Sequence, residues 1–173
     1  MDVVDLGDIE DGMIDLVGGK ALGLGRMIKS GVRVPHGFCV TTRVHELRKI
    51  PRDSILDAYD RLGRGQVAVR SSATVEDLAD ASFAGQLDTL LNVEGDEDLI
   101  VAIEKCWASL DSVRAVAYRK AHAIERDVVG MAVVVQRMVE PRAAGVMFTA
   151  NPITGTRSEI VIDAVHTDGN VRT

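Results

Sequence analysis

The chain has 173 residues, 46% of them hydrophobic and 27% charged, which is enough for one substantial core and too little for two ordinary ones. A formal net charge of −6, with no lysine- or arginine-rich block and no interleaved aromatics, leaves no basic field of the kind nucleic-acid binders use, so no nucleic-acid partner is expected. The acidic opening MDVVDLGDIEDGM lacks the basic and apolar regions of a secretion signal, and no apolar run reaches membrane-spanning length, so the expectation is a cytoplasmic unit without a membrane partner.

Short apolar segments at residues 3–6 and 15–17 come first, followed by Gly18-Gly19-Lys20-Ala21-Leu22-Gly23-Leu24-Gly25-Arg26-Met27-Ile28. Leu24, Met27 and Ile28 have helical spacing. Gly18 and Gly19 would expose backbone N–H groups at the positive end of that helix, and Lys20 adds a side-chain cation, a combination suited to phosphate. The segment lacks the terminal Gly-Lys-Ser/Thr of a P-loop and the dinucleotide fingerprint, so by itself it reads equally as a structural glycine-rich helix entry. In residues 31–40 the glycines and Pro35 mark turns around short strands, and Thr41-Thr42 reads as a helix cap. Two short helices, 42–49 and 54–62, flank Pro51. Ile55, Leu56, Ala58, Tyr59 and Leu62 form an apolar stripe on the second.

The most informative stretch is VAVRSSATVEDLADASFAGQLDTLLNV, residues 67–93. Val67-Ala68-Val69 predicts a buried strand with Arg70 at its end, and a permanent cation placed there calls for an anion. Ser71 and Ser72 offer hydroxyls and N–H groups, Glu76, Asp77 and Asp80 follow, and residues 82–86 read as a mobile loop in which Gly85 permits close backbone approach to a ligand. Residues 89–93 return to the core as a second strand. In residues 96–110, Leu99, Ala102, Ile103, Cys106, Trp107 and Leu110 recur at helical spacing, which makes Trp107 a core residue rather than a base-stacking one. Asp111-Ser112 predicts a break before a further helical segment at 113–124.

Three β-branched runs at 131–139, 144–149 and 159–163, the last two joined by an Asn-Pro turn at 151–155, predict an antiparallel sheet, with a hinge near residues 136–139. The only cysteines, Cys39 and Cys106, sit in apolar surroundings and read as buried reduced thiols. His36, His45, His122 and His166 have no companion at metal-ligand spacing, so no protein metal cage is expected.

Taken together, GGKALGLGRM, VPHGFCVTT, the 67–93 block, CWASL, VVVQRMV and AGVMFTANPITG resemble, in order and over nearly the whole chain, the N-terminal ATP-binding domain shared by phosphoenolpyruvate synthase, pyruvate phosphate dikinase and rifampicin phosphotransferase. The resemblance implies an α+β, ATP-grasp-like partial domain over residues 1–173, with a mixed or antiparallel sheet flanked by helices and ATP as ligand. It implies that Lys20 and Arg70 contact the ATP phosphates, and that Gly85 and Thr89 lie on the loop and strand covering the nucleotide. It further implies that Gln136 faces the adenine at the hinge, with Met138 and Val139 contacting the base. In the complete enzymes of this family a phosphoryl group of ATP passes to a histidine on a separate domain, and from there to pyruvate or rifampicin.

Two departures accompany the resemblance. The segment between Thr42 and Val67 is shorter than the family's. After the last strand this chain reads DAVHTDGNVRT where relatives carry a Trp-Gly-Leu-Gly-Glu block and later acidic ligands, so the Mg²⁺ ligands of the family are expected to be absent from it. Phosphoryl transfer by this chain alone is then expected to be slow. The leading expectation is the ATP-binding portion of a phosphoenolpyruvate synthase-like phosphotransferase, either completed by a further polypeptide docking on an exposed apolar edge or a truncated product. The alternatives are a fragment of a rifampicin phosphotransferase, or a nucleotide- or partner-binding module without catalysis.

Overall fold

The computed structural model describes residues 1–47, 49–75, 77–78, 81–82, 87–122, 125 and 129–166, so Gly85 and most of the loop expected around it lie outside the described residues. The chain divides into two compact units, Met1–Met138 and Val139–Thr173.

The first unit is built on a five-stranded antiparallel sheet in the order β1 (Val3–Asp5), β2 (Gly37–Val40), β7 (Met131–Arg137), β3 (Val67–Ala73), β6 (Thr89–Val93). β7 is its middle strand, covered on both faces, which explains why its sequence is a nearly continuous apolar run rather than an alternating one. On one face, Phe38, Val40, Val67, Val69, Val133 and Val135 pack under α2 (Thr42–Leu47), α3 (Arg52–Arg61) and α4 (Asp96–Ala108). These helices contribute Val44, then Ile55 and Tyr59, then Leu99, Ile103 and Cys106. On the other face, α1 (Ile14–Lys29) covers Cys39, Ala132 and Val134 with Val17, Ala21 and Leu22.

Local chemistry accounts for the element boundaries. α4 starts after Gly95 at φ +94 and carries Asp96, Glu97 and Asp98 against its positive end. It closes through a 3-10 turn, Ser109–Asp111, and Ser112 then caps α5 (Val113–Ala121) by accepting the N–H of Ala115 at 3.2 Å, so the expected break falls where the sequence placed it. In β6 one extra residue enters between the pairs Val69↔Leu90 and Val67↔Val93, with Asn92 at φ +56. This bulge lets Leu90 and Val93, three apart, both reach the core under α4.

Two expectations are corrected. β3 does not end at Val69 but runs to Ala73, which puts Arg70 in mid-strand between β6 and β7. The three C-terminal strand segments do not form one sheet. β7 joins the central sheet of the first unit, whereas β8 (Ala143–Phe148) and β9 (Val161–His166) pair only with each other. The physical reason is coverage: β7 is buried on both faces, while Val146, Met147, Ile162 and Val165 of the hairpin are each more than half exposed.

Among the described residues, this hairpin and its connections make up the second unit. Its connection is organised by Asn151, whose Oδ1 accepts the N–H groups of Ile153 and Thr154 at 2.9 and 3.1 Å, with Gly155 at φ +72. Two-residue strands β4 (Asp77–Leu78) and β5 (Ala81–Ser82) pair with each other. Among the described residues no helix is long and apolar enough to cross a membrane.

Candidate functional site

Strand alternation divides β3 between its two faces. Val67 and Val69 point into the core under α3 and α4, so Ala68, Arg70 and Ser72 point to the face that α1 partly covers. Arg70 stands directly opposite Thr89 of β6 and Val134 of β7, and Ala68 stands opposite Gln136. Opposed residues of antiparallel strands share a face, so Arg70, Thr89 and Gln136 form one polar group beyond the edge of α1. Arg70 is half-buried, Thr89 is exposed, and Gln136 is buried.

The Arg70 guanidinium donates from Nη1 to Gln136 Oε1 at 3.5 Å, and Gln136 Nε2 donates to the carbonyl of Pro35 at 3.0 Å. Both ends of the Gln136 amide are thereby engaged inside the protein. Gly37 makes room for this arrangement, because a Cβ there would sit 2.4 Å from the carbonyl oxygen of Val135 and 3.0 Å from Cα of Gln136.

Lys20 reaches the same strand from α1. The helix is broken at Gly18 (φ 75, ψ 169), so Gly19 and Lys20 lie in the first turn of the part that continues. The Lys20 ammonium donates to the carbonyl of Ser71, the residue next to Arg70. Two cationic side chains are thus anchored at neighbouring points along β3, which is what a polyphosphate needs: positive charge held in place with little reorganisation on binding.

Ser71 and Ser72 do not offer hydroxyls to a ligand, as their sequence suggests. Both are fully buried. Ser71 Oγ donates to the carbonyl of Asp88 at 3.0 Å, and Ser72 Oγ donates to the carbonyl of Val17 at 2.8 Å while accepting the N–H of Ala21 at 3.1 Å. They fasten β3 to the entry of β6 and to α1. Nothing in the local sequence marks this role, since Val17 and Ser72 are far apart in the chain.

Met138 and Val139 stand on the two sides of the division between the units. Met138 ends the first unit with its N–H donated to the carbonyl of Gln66 at 3.0 Å, so that donor is already used within the protein. Val139 is exposed and belongs to the second unit.

A cleft of about 710 Å³, lined by Leu6, Ile28, Phe38, Leu62, Arg33 and Arg137 among others, opens where β2 begins and β7 ends. Lys20 and Arg70 do not line it. Burial pushes the Cys39 thiol up, and burial together with the Asp88 carboxylate pushes the Cys106 thiol up to about 12, so both stay protonated and unreactive. Among the described residues no three histidine, cysteine or carboxylate side chains gather as metal ligands.

A family model described as pyruvate phosphate dikinase, AMP/ATP-binding domain, matches residues 46–170. The chain is 40% identical over 209 positions to a phosphoenolpyruvate synthase of Aeropyrum pernix, in an alignment that takes in 92% of the chain and 26% of that protein. It is 40% identical over 208 positions to a rifampicin phosphotransferase of a Streptomyces species, covering 94% of the chain and 24% of the relative. To the rifampicin phosphotransferase of Bacillus subtilis it is 39% identical over 206 positions, with the same coverage. The chain therefore spans about a quarter of the length of these relatives. The alignments also run over more positions than the chain has residues, so the relatives carry internal segments that this chain lacks.

Proposed function

The chain belongs to the family of pyruvate phosphate dikinase AMP/ATP-binding domains, and we propose that it is the ATP-binding portion of a phosphoenolpyruvate synthase-like (pyruvate, water dikinase) phosphotransferase of the cytoplasm. The observation that carries this reading is the placement of Lys20, Arg70 and Thr89 against one face of β3 and β6, with Gln136 holding Arg70 in position. A nucleotide laid on this face has its phosphates between the Lys20 ammonium and the Arg70 guanidinium. Thr89 adds a hydroxyl, Gly85 belongs to the covering loop, and Met138 and Val139 offer apolar surface to the base at a hinge around residues 136–139.

The work of these residues is binding, orientation and neutralisation of phosphate charge. Phosphoryl transfer needs placed cations and dipoles more than it needs a protein nucleophile in this domain. When bound, Mg²⁺ supplies further neutralisation in such reactions. Among the described residues no three histidine, cysteine or carboxylate side chains gather as ligands for it. Its ligands, and the carrier of the transferred group, are assigned to a complementing polypeptide. A phosphoenolpyruvate synthase and a rifampicin phosphotransferase match equally well, at 40% identity, which favours the ATP half-reaction as this chain's share over either acceptor.

Calorimetric titration with ATP and Mg²⁺ tests the reading. Each of Lys20→Ala and Arg70→Ala is expected to weaken binding by about tenfold to a hundredfold, the value of a charge-assisted hydrogen bond. Equal heats in the wild type and both variants would overturn it. Addition of pyruvate and the complementing polypeptide is expected to release AMP and phosphate.

A further inference from the structure

We infer that Ser72 is the positioning residue for Lys20: its buried hydroxyl clips the break in α1 onto β3 and so sets where the Lys20 ammonium stands beside Arg70. The inference rests on the reading of Lys20 and Arg70 as a phosphate-holding pair.

The geometry of the clip is specific. Ser72 is fully buried, and its one hydroxyl uses donor and acceptor together, giving its proton to the carbonyl of Val17 and taking the N–H of Ala21. Those two groups lie on opposite sides of the break at Gly18. A helix that restarts leaves first-turn N–H groups without partners, and here one of them is met by a side chain from a strand rather than by a local cap. Lys20 lies between the two fastened points. Its backbone cannot shift along β3 without breaking at least one of them.

Gly18 is the counterpart of Ser72. A Cβ at Gly18 would sit 2.2 Å from the Ser72 carbonyl oxygen and 2.6 Å from Ser72 Oγ, so only glycine allows helix and strand to approach this closely. Its φ of +75 independently favours glycine. The neighbouring Ser71 does the equivalent on the other side of the strand, tying it to Asp88, the residue before Thr89. The two serines therefore fix the Lys20 turn and the Thr89 strand entry against the segment that carries Arg70.

Titration calorimetry of the full chain with ATP and with adenosine, on the wild type, Ser72→Ala, Lys20→Ala and the double variant, tests the assignment. Ser72→Ala is expected to lower ATP affinity about tenfold, to leave adenosine affinity unchanged, and to add no further loss in the Lys20→Ala background, because it acts through Lys20. A general structural defect would weaken both ligands alike and would add to Lys20→Ala; either result overturns the inference. If alanine prevents folding, Ser72→Cys keeps the shape with a weaker donor and acceptor, and ATP affinity equal to wild type would overturn the inference through that variant. Wild-type chain that fails to bind ATP removes the phosphate reading and this inference together. ATP binding that depends on Lys20 but not on Ser72 removes this inference alone.

Discussion

The two faces of the central sheet carry different duties on the same strands. Under α2, α3 and α4 the apolar inward residues of β3 and β7 are Val67, Val69, Val133 and Val135, with buried Ser71 as the polar exception opposite Val133. On the α1 face the same two strands offer Ala132 and Val134 for packing, then Ser72, Arg70 and Gln136. The helix-covered face is held mainly by dispersion and exclusion of water, whereas the α1 face adds to its apolar packing a few directional hydrogen bonds around two cations. The difference teaches that stability and binding can be altered separately in this domain, one strand residue apart.

The sharpest test of that separation is Ile103→Ala, at the centre of the helix-covered face. It should destabilise the chain by about 3 kcal/mol through lost burial and a residual cavity, read as a shift in the urea midpoint, with Lys20 and Arg70 chemistry unchanged in the molecules that remain folded. Arg70→Ala should do the reverse. Its expected loss is about 1.5 to 3 kcal/mol of ATP binding, with unfolding free energy within about 0.5 kcal/mol of wild type. A large loss of stability in Arg70→Ala would erase the distinction between the faces.

A smaller effect concerns the thiols, one under each face. Burial raises both above their unfolded value, Cys106 to about 12. The folded state therefore keeps protons that the unfolded state releases. The resulting stability is complete below pH 9 and is lost as pH rises from there through the folded values. Between pH 8 and pH 10 each thiol should contribute a loss of about 1.4 kcal/mol, and Cys106→Ala should remove its share of the slope in urea unfolding. An identical slope in the variant would show that the thiol ionises as freely folded as unfolded. The smallest effect is expected from Thr89→Val on the exposed end of the polar face. ATP affinity should fall by a few-fold, about the worth of one neutral hydrogen bond, with stability unchanged in thermal melts.

Much of the first unit was legible from residue order. The helical stripe of α4, the break at Asp111-Ser112 and the buried cysteines follow from spacing and side-chain type, which act within a few residues, whereas the hydroxyls of Thr41 and Thr42, expected to cap α2, donate to the carbonyls of Met1 and Asp15. The partnership of β7 was not legible. Its β-branched run is compatible with pairing to β8, and only the competition for a doubly covered position places it between β2 and β3. Arg70 was recognisable as a cation needing an anion, yet its mid-strand setting depends on Thr89 and Val134 from distant strands.

Composition and local pattern by themselves gave apolar residues enough for a substantial core, placed Lys20 and Arg70 each in a local setting suited to an anion, and set out blocks in one family's order. Tertiary structure alone decided that Ser71 and Ser72 face inward as fasteners and that Gln136 spends both ends of its amide on Arg70 and Pro35. The physical reason is range. Propensity and periodicity act along a few turns of chain, whereas a buried hydroxyl or amide must find its partners wherever packing places them, and here those partners lie from 17 to 101 residues away.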